Sequence, residues 1–468
     1  MSEAFDVVVI GAGASGEAAA DYAALRGASV ALIEKDLVGG SCAYWACMPS
    51  KALLHAAEVR AAGGDYPWPK ASAFRDWMIN RTDLPYPDDS SHARGHERAG
   101  VTVVRGTARV NGRGGVDVAL SDGSQRTLTA SRGIVVAAGS RARVPSIPGL
   151  DEAGYWTNVE ATSLRELPRS VIVLGAGPSG VEFAQYFARF GVRTTIVQSN
   201  ERLNPTDHPR SSRLLADAFR AQGIDVRTGA RASRVRAHAG TDGEHVMDLA
   251  DGTTAMGRVI AIGIGRTPNV SDLGLETVGV TVKDGEFLVP DDRMRIADGV
   301  FVVGDLVGHE ISTHLGHYEG EIAAKAALGD DVKADLRAVP RCVYTDPELA
   351  AVGLQVEQAR EKGHDPVEFT QDLATTAKGY VAEAKGHVTI VADRTERTLL
   401  GAFMAGPGAT EAIHEAVLAV KVRIPLAVLE DTIHAFPTAA RVFGYLCAQA
   451  SRELGGLKPP HGAGDQPT

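Results

Sequence analysis

The sequence predicts an α/β protein with two Rossmann-like dinucleotide-binding units and a C-terminal α+β domain. Three observations carry that expectation. An apolar strand near the N-terminus runs into Gly11-Ala-Gly13-Ala-Ser-Gly16. A second strand runs into Gly175-Ala-Gly177-Pro-Ser-Gly180 about 160 residues later. From about Asp335 strands and helices continue without another turn of this kind.

The 468 residues leave room for roughly two to four domains. Hydrophobic content of 44% and charged content of 23% are those of a globular protein. The net charge of −10, from 48 basic and 58 acidic residues, argues against non-specific nucleic-acid binding. No apolar run reaches membrane-spanning length, and the chain opens directly on a strand, Phe5 to Ile10. A cytoplasmic protein with no membrane partner is therefore expected. Four cysteines are present, Cys42, Cys47, Cys342 and Cys447. In a reducing compartment the close pair reads as catalytic and the other two as buried fillers.

The first unit starts with the strand Asp6 to Ile10, the glycine turn, an Ala-rich helix and a second strand, Ser29 to Ile33, closed by Glu34. The glycines permit the tight turn and close approach of a pyrophosphate, and the helix N-terminus faces the phosphates. Glu34, twenty-three residues after Gly11, is placed to bond a ribose hydroxyl. From Ala61 to Arg98 the chain is polar and Pro-rich, with one helix expected near Phe74 to Asn80 and loops around it. Val101 to Val104, Ala108 to Val110 and Val116 to Leu120 alternate as a small antiparallel ribbon. Gly133 to Gly139 reads as a buried strand ending on glycine.

The second unit has the strand Val171 to Leu174, the turn Gly175 to Gly180, a helix carrying Glu182 and ending near Phe190, and a strand Arg193 to Val197. Gln198 stands at that strand end, where an acid bonds the adenosine 2′-hydroxyl in NAD-preferring proteins. Without the acid a 2′-phosphate is not repelled, and Arg202 is near enough in sequence to meet it. NADPH is favoured over NADH, although Ser199 to Arg202 equally suits a solvated turn. Arg258 to Ile264 is another buried strand.

The chemistry centres on Gly39 to Leu54, Gly-Gly-Ser-Cys-Ala-Tyr-Trp-Ala-Cys-Met-Pro-Ser-Lys-Ala-Leu-Leu. If Cys42 opens a helix, Cys47 lies just over one turn on, and the two side chains can meet. A thiolate near a helix N-terminus is stabilised, and Lys51 adds positive charge. A redox-active pair follows as the reading. Tyr44 and Trp45 suggest a crowded aromatic pocket.

This sixteen-residue string closely resembles the active-site segment of the flavoprotein disulfide reductases, which include dihydrolipoamide dehydrogenase, glutathione reductase and mercuric reductase. The resemblance extends along nearly the whole chain, through Gly133 to Ser140, Gly265-Arg266-Thr-Pro-Asn, Gly304-Asp305, His314 with Glu319-Gly320, and Pro340 to Gly353. Gly316 stands where the family pattern after His314 has alanine. The resemblance implies an FAD domain at 1–149 and 270–334, a nicotinamide domain at 150–269, a dimerisation domain at 335–454 and a flexible tail at 455–468. It implies bound FAD, an NAD(P)H donor, a small-molecule substrate, and a homodimer in which the partner's C-terminal domain completes the active site.

By the same resemblance, Cys47 is the thiol against the flavin and Cys42 the interchange thiol of a redox-active disulfide. Lys51 pairs with Glu182 beside the flavin. Gly11, Gly13, Gly16, Glu34, Gly40, Ser41, Ala108, Ala138, Gly139, Ser140, Gly265, Arg266, Gly304, Asp305 and His314 would contact the flavin nucleotide. Gly175, Gly177, Gly180, Gln198, Ser199 and Arg202 would contact the nicotinamide nucleotide.

The departure lies near the C-terminus. Family disulfide reductases end with His-Pro-Thr-x-x-Glu, whose histidine relays a proton and whose glutamate orients it. Here Pro437 and Thr438 fix the register, so Phe436 stands at the histidine and Arg441 at the glutamate. His434, two residues away, reads as structural first and as a substitute acid–base second. One branch, 2-ketopropyl-coenzyme M oxidoreductase/carboxylase, likewise has phenylalanine there, but carries a histidine where this chain has Arg441. The expected function is FAD-dependent reduction, or reductive S–S or C–S cleavage, of a specialised small molecule. The alternatives are a quinone or electrophile reductase using the flavin directly, a dihydrolipoamide dehydrogenase, and a redox-sensing flavoprotein with little turnover.

Overall fold

The computed structural model of the chain describes residues 3–456, so the tail expected at 455–468 lies outside the described residues from 457 onwards. Three sheets organise it. In the first, Val101–Val110, Val30–Glu34, Glu3–Ile10, Gln125–Val136 and Val300–Val302 run parallel in that order. Val7, Val8 and Val9 are all fully buried, as expected of a parallel strand covered on both faces. The ribbon read from the sequence is the far end of this sheet. Gly115–Leu120 pairs antiparallel with the ends of Val101–Val110 and Gln125–Val136, which are single long strands.

The second sheet is parallel in the order Val259–Ile262, Ser170–Leu174, Arg193–Val197, Asp225–Arg227. A three-stranded antiparallel sheet, Ala232–Arg236, His245–Leu249 and Thr254–Gly257, accompanies it. The chain leaves the first sheet and returns to it side by side, because Ser140–Ala142 pairs antiparallel with Arg266–Pro268. The third sheet is antiparallel, with Pro340–Val343 at one edge, and the helices Ala409–Val422 and Ala439–Leu454 share its apolar core.

Between Ala61 and Arg98 there are two principal helices, not one: Trp68–Met78 and Ser90–Arg98. The second has no apolar stripe to announce it. Polar tertiary contacts hold it instead. His96 meets Asp21 at 2.7 Å and Glu17 at 2.9 Å, and His92 meets Glu17 at 3.3 Å. Asp89, just before it, accepts from the Val38 N–H at 2.6 Å and pairs with Arg105. This clamps Ser90–Arg98 to the first glycine-turn helix and to the chain entering the cysteine segment. Trp68–Met78 is pinned by the wholly buried Arg75, whose guanidinium bonds the carbonyls of Thr162 and Leu164 and the carboxylate of Asp76.

Candidate active site

Both glycine turns are shaped for a dinucleotide. Gly11 has φ +99°, and a Cβ there would stand 2.4 Å from the Ala137 carbonyl oxygen. The helices Ala14–Leu25 and Pro178–Arg189 start behind Gly13 and Gly177 with no side-chain cap. Their first N–H groups are left for an anion. Some other helices are capped by side chains, as Thr313–Ala327 is by Ser312 and Ala439–Leu454 by Thr438, but the two glycine-turn helices also start on glycines that leave the approach open. The donor sets therefore fit two pyrophosphates.

Glu34 closes the first turn, accepting from the Ala12 N–H at 2.7 Å and the Asp36 N–H at 2.8 Å. Burial raises its pKa against those two donors. Ser140, Arg266 and Asp305 come together where the chain crosses between sheets: Arg266 and Ser140 each bond Asp305 or one another. Gly304 N–H donates to the buried Glu319 at 2.8 Å, which fixes the turn before Asp305. The Ala138 carbonyl accepts from Asn269 at 3.0 Å, and Gly139 and Gly265 have open space where a Cβ would be. Ala108 turns its methyl into the first sheet's core, leaving only its backbone for a ligand. His314 is exposed and its Nε2 meets the Pro340 carbonyl at 2.8 Å. The departure at Gly316 has a steric reason, since a Cβ there would stand 2.4 Å from Ser15 Oγ in the first turn.

The cysteine segment is laid directly on that turn. Gly40, at φ +62°, has Gly13 Cα only 2.6 Å from where its Cβ would be. The expected helix from Cys42 is not formed. Gly40–Tyr44 is a separate short helix, and the long helix Cys47–Ala61 begins at Cys47. Trp45 and Ala46 break the run, with Ala46 at φ −135°, ψ −93°. The helix dipole therefore acts on Cys47. The two thiols are unbridged here. The Cys42 contact holds the Cys47 pKa down against burial, helped by Thr313 and Lys51. Cys47 in turn, with burial, pushes Cys42 up.

Lys51 and Glu182 meet as expected, at 2.8 Å. Burial would lower the Lys51 pKa, but the adjacent carboxylate prevails and raises it. Glu182 also accepts the Tyr344 N–H at 3.2 Å, and the Tyr344 ring lies 4.7 Å from Lys51 Nζ. Further along the same helix, Gln185 exchanges two hydrogen bonds with the Asp346 backbone and Arg189 pairs with its carboxylate. A cavity of about 860 Å³ runs from Pro178 at the second turn to Glu310, Ile311 and Arg341. Burial pushes Glu310 up to about 6 against the pull of Arg341.

Some expected residues lie elsewhere. Tyr44 does not line a pocket: it is buried, donates to the Val38 carbonyl at 3.1 Å and packs with Leu37 and Ile79. The Trp45 carbonyl accepts from Asn158 and Thr162, and its ring tilts against Tyr86. Gln198 is buried and bonds the Arg202 carbonyl, while the Arg202 guanidinium is turned to the Pro205 carbonyl at 3.0 Å. Ser199 is exposed. His434, read as structural first, is set into the chain's own fold. Its ring is 5% exposed, pairs with Glu415 at 2.7 Å, and rests on Gly444, where a Cβ would come within 2.4 Å. Phe436, by contrast, is 73% exposed and Ile433 96%, while Arg441 is also exposed. Two residues of the site carried no sequence signal. Thr313 meets Cys47 from 266 positions away, and Tyr344 covers Lys51 from the third sheet.

Comparison with known proteins gives the same outline. The family model for pyridine nucleotide-disulphide oxidoreductases matches residues 5–327, and that for their dimerisation domain matches residues 339–446. A dihydrolipoyl dehydrogenase of Chlorobaculum tepidum is 32% identical over 97% of this chain and 99% of its own length. A mercuric reductase of Shigella flexneri is 31% identical over 95% of this chain and 80% of its own. Among solved structures, LpdA of Mycobacterium tuberculosis superposes with a TM-score of 0.85 at 26% identity, covering 96% of this chain and 99% of that one. The HOCl-induced flavoprotein disulfide reductase RclA of Escherichia coli, as its Cu(II) complex, gives 0.83 at 25% identity, covering 96% and 100%.

Proposed function

The chain belongs to the pyridine nucleotide-disulphide oxidoreductases, which use FAD and NAD(P)H, and from that premise we propose that it reduces a specialised sulfur substrate at Cys42. The observation that carries this is the Cys42–Cys47 dithiol, with Cys47 on a helix N-terminus beside the Lys51–Glu182 pair. Bound FAD supplies the route by which an electron pair from NAD(P)H reaches the cysteine disulfide. Lys51, fixed by Glu182, then provides positive charge where that pair is held. Cys42 attacks a substrate sulfur and expels one fragment as a thiolate or a stabilised carbanion. Cys47 attacks Cys42 in turn, which reforms the cysteine disulfide and releases the second fragment as a thiolate.

A thiolate fragment takes up a proton to leave as a thiol. Phe436 provides none, and on this reading it faces the Cys42 side of a second copy of the chain. A simple dithiol then leaves slowly, whereas a fragment that must avoid protons is protected. The exposed Ile433 and Phe436 support that placement. The carboxylate missing at Gln198 supports NADPH as donor. A second reading is reduction of a thiophilic metal ion, which needs two thiolates and no proton relay. The mercuric reductase relative and the Cu(II) complex of the superposing reductase favour it.

The test is anaerobic reduction with NADPH or NADH, then re-oxidation by a panel of disulfides, thioethers, quinones and Hg(II). Re-oxidation by a sulfur compound that requires Cys42 supports the proposal. Quinone turnover that survives Cys42→Ser replaces it with direct flavin chemistry.

A further inference from the structure

The fifteen-residue helix Thr313–Ala327 begins against the active thiols. Thr313 Oγ1 lies 3.3 Å from Cys47 Sγ, within hydrogen-bond reach of sulfur. Ser312 caps this helix by accepting from the Leu315 N–H, which leaves the Thr313 hydroxyl for the sulfur. Two helix N-termini thus meet at one atom, since the helix Cys47–Ala61 also begins there.

The charges around Cys47 come from four elements. Cys42, on the short helix, favours the Cys47 thiolate. Lys51, on its own helix, favours the thiolate, and Glu182, from the helix after the second turn, opposes it. Tyr344, from the third sheet, covers Lys51. Lys51 and Glu182 act in opposite directions, so a neutral donor aimed at the sulfur has weight.

We propose that Thr313 is a positioning residue whose hydroxyl donates to the Cys47 sulfur and holds it as an oriented thiolate. A thiolate offers no proton, so the hydroxyl can only donate to it. A hydrogen bond made to the charged form favours that form. The γ-methyl of threonine restricts χ1, which keeps the oxygen aimed. This rests on the reading of Cys47 as the flavin-side thiol.

The experiment compares Thr313→Val, which keeps the shape and removes the donor, with Thr313→Ser, which keeps the donor. In the Cys42→Ser background of the holoprotein, two quantities are followed against pH. One is the long-wavelength absorbance of a thiolate against oxidised flavin. The other is the rate of Cys47 alkylation by iodoacetamide. Thr313→Val is expected to raise both midpoints by about one pH unit, the size of one good charge-assisted hydrogen bond, and Thr313→Ser to leave them near wild type. Equal alkylation midpoints for Thr313→Val and wild type overturn the proposal, as does a serine variant that shifts as far as the valine one. If no long-wavelength band forms while the alkylation midpoint still moves, the flavin-side reading of Cys47 falls and the hydrogen bond stands.

Discussion

Lys51 Nζ donates to both carboxylate oxygens of Glu182, at 3.0 and 2.8 Å, across 131 positions of sequence. Glu182→Gln keeps the shape and removes the charge that holds Lys51 in place. Reduction of bound flavin by NADPH should slow roughly tenfold, less than the roughly hundredfold or more for loss of a donor that itself touches the reacting charge, because Glu182 acts through Lys51. Lys51 is more than a third exposed, so the stability loss should stay near 1 kcal/mol or below. Stopped-flow reduction and a urea melt separate the two effects. A large stability loss with unchanged reduction would make the pair purely structural.

The two cysteines should respond differently to mutation. Cys47→Ser should abolish the long-wavelength band of the two-electron-reduced protein, whereas Cys42→Ser should show that band without reduction. Absorbance spectra of both variants decide this. Identical behaviour would mean that the two roles are wrongly assigned.

Phe436 should limit the second half-reaction. Wild type should turn over lipoamide and glutathione disulfide slowly while NADPH reduces it normally. Phe436→His with Arg441→Glu should speed simple-disulfide reduction by about tenfold or more, given the usual contribution of a positioned acid–base group. Phe436→His alone should gain less, because Arg441 disfavours an imidazolium beside it and nothing orients the ring. Separate half-reaction kinetics on both variants give the answer. Rapid wild-type disulfide turnover would require another proton source.

Stability should fall as the medium turns alkaline. Asp21 and Glu17 raise His96 from 6.5 to about 9. A histidine raised on folding contributes fully below its unfolded pKa, and that contribution is lost as pH rises through the folded value. The window here is pH 6.5 to about 9. The shift sets a ceiling of about 3 kcal/mol, and the half-exposed Asp21 reduces the expectation to about 1–2 kcal/mol. Unfolding free energies from urea titrations at the two ends of the window should differ by that amount in wild type. His96→Gln should flatten the difference, and an unchanged slope would locate the titration elsewhere.

Much of this was readable because local chemistry and fold agree. The strand, Gly11 turn, helix and Glu34 form one contiguous unit, and Gly175 to Gly180 repeats it. Lys51 and Glu182 were legible because each sits at a fixed offset within a longer motif. The helix start at Cys47 was not, since nothing in Tyr44-Trp45-Ala46 forbids helix locally. The break is set by the burial of Tyr44 beneath the segment and by Asn158 and Thr162 binding the Trp45 carbonyl. The helix Ser90–Arg98 escaped for a similar reason, because its supports, Glu17 and Asp21, lie more than seventy residues earlier. Thr313 escaped because a hydroxyl acquires meaning only from the sulfur across from it.

The helix Pro178–Arg189 presents Glu182, Gln185 and Arg189 along one face, and all three engage the Tyr344–Asp346 segment that continues the edge strand of the third sheet. Glu182 in the same position grips Lys51. Displacing that strand must therefore pull the Tyr344 N–H from the carboxylate that steadies the lysine. The domain through which two copies would associate is geared to the redox centre by one short rack of side chains. Strain at a subunit boundary would reach the electron-transfer site through the short Tyr344–Asp346 bend that the helix holds at three points.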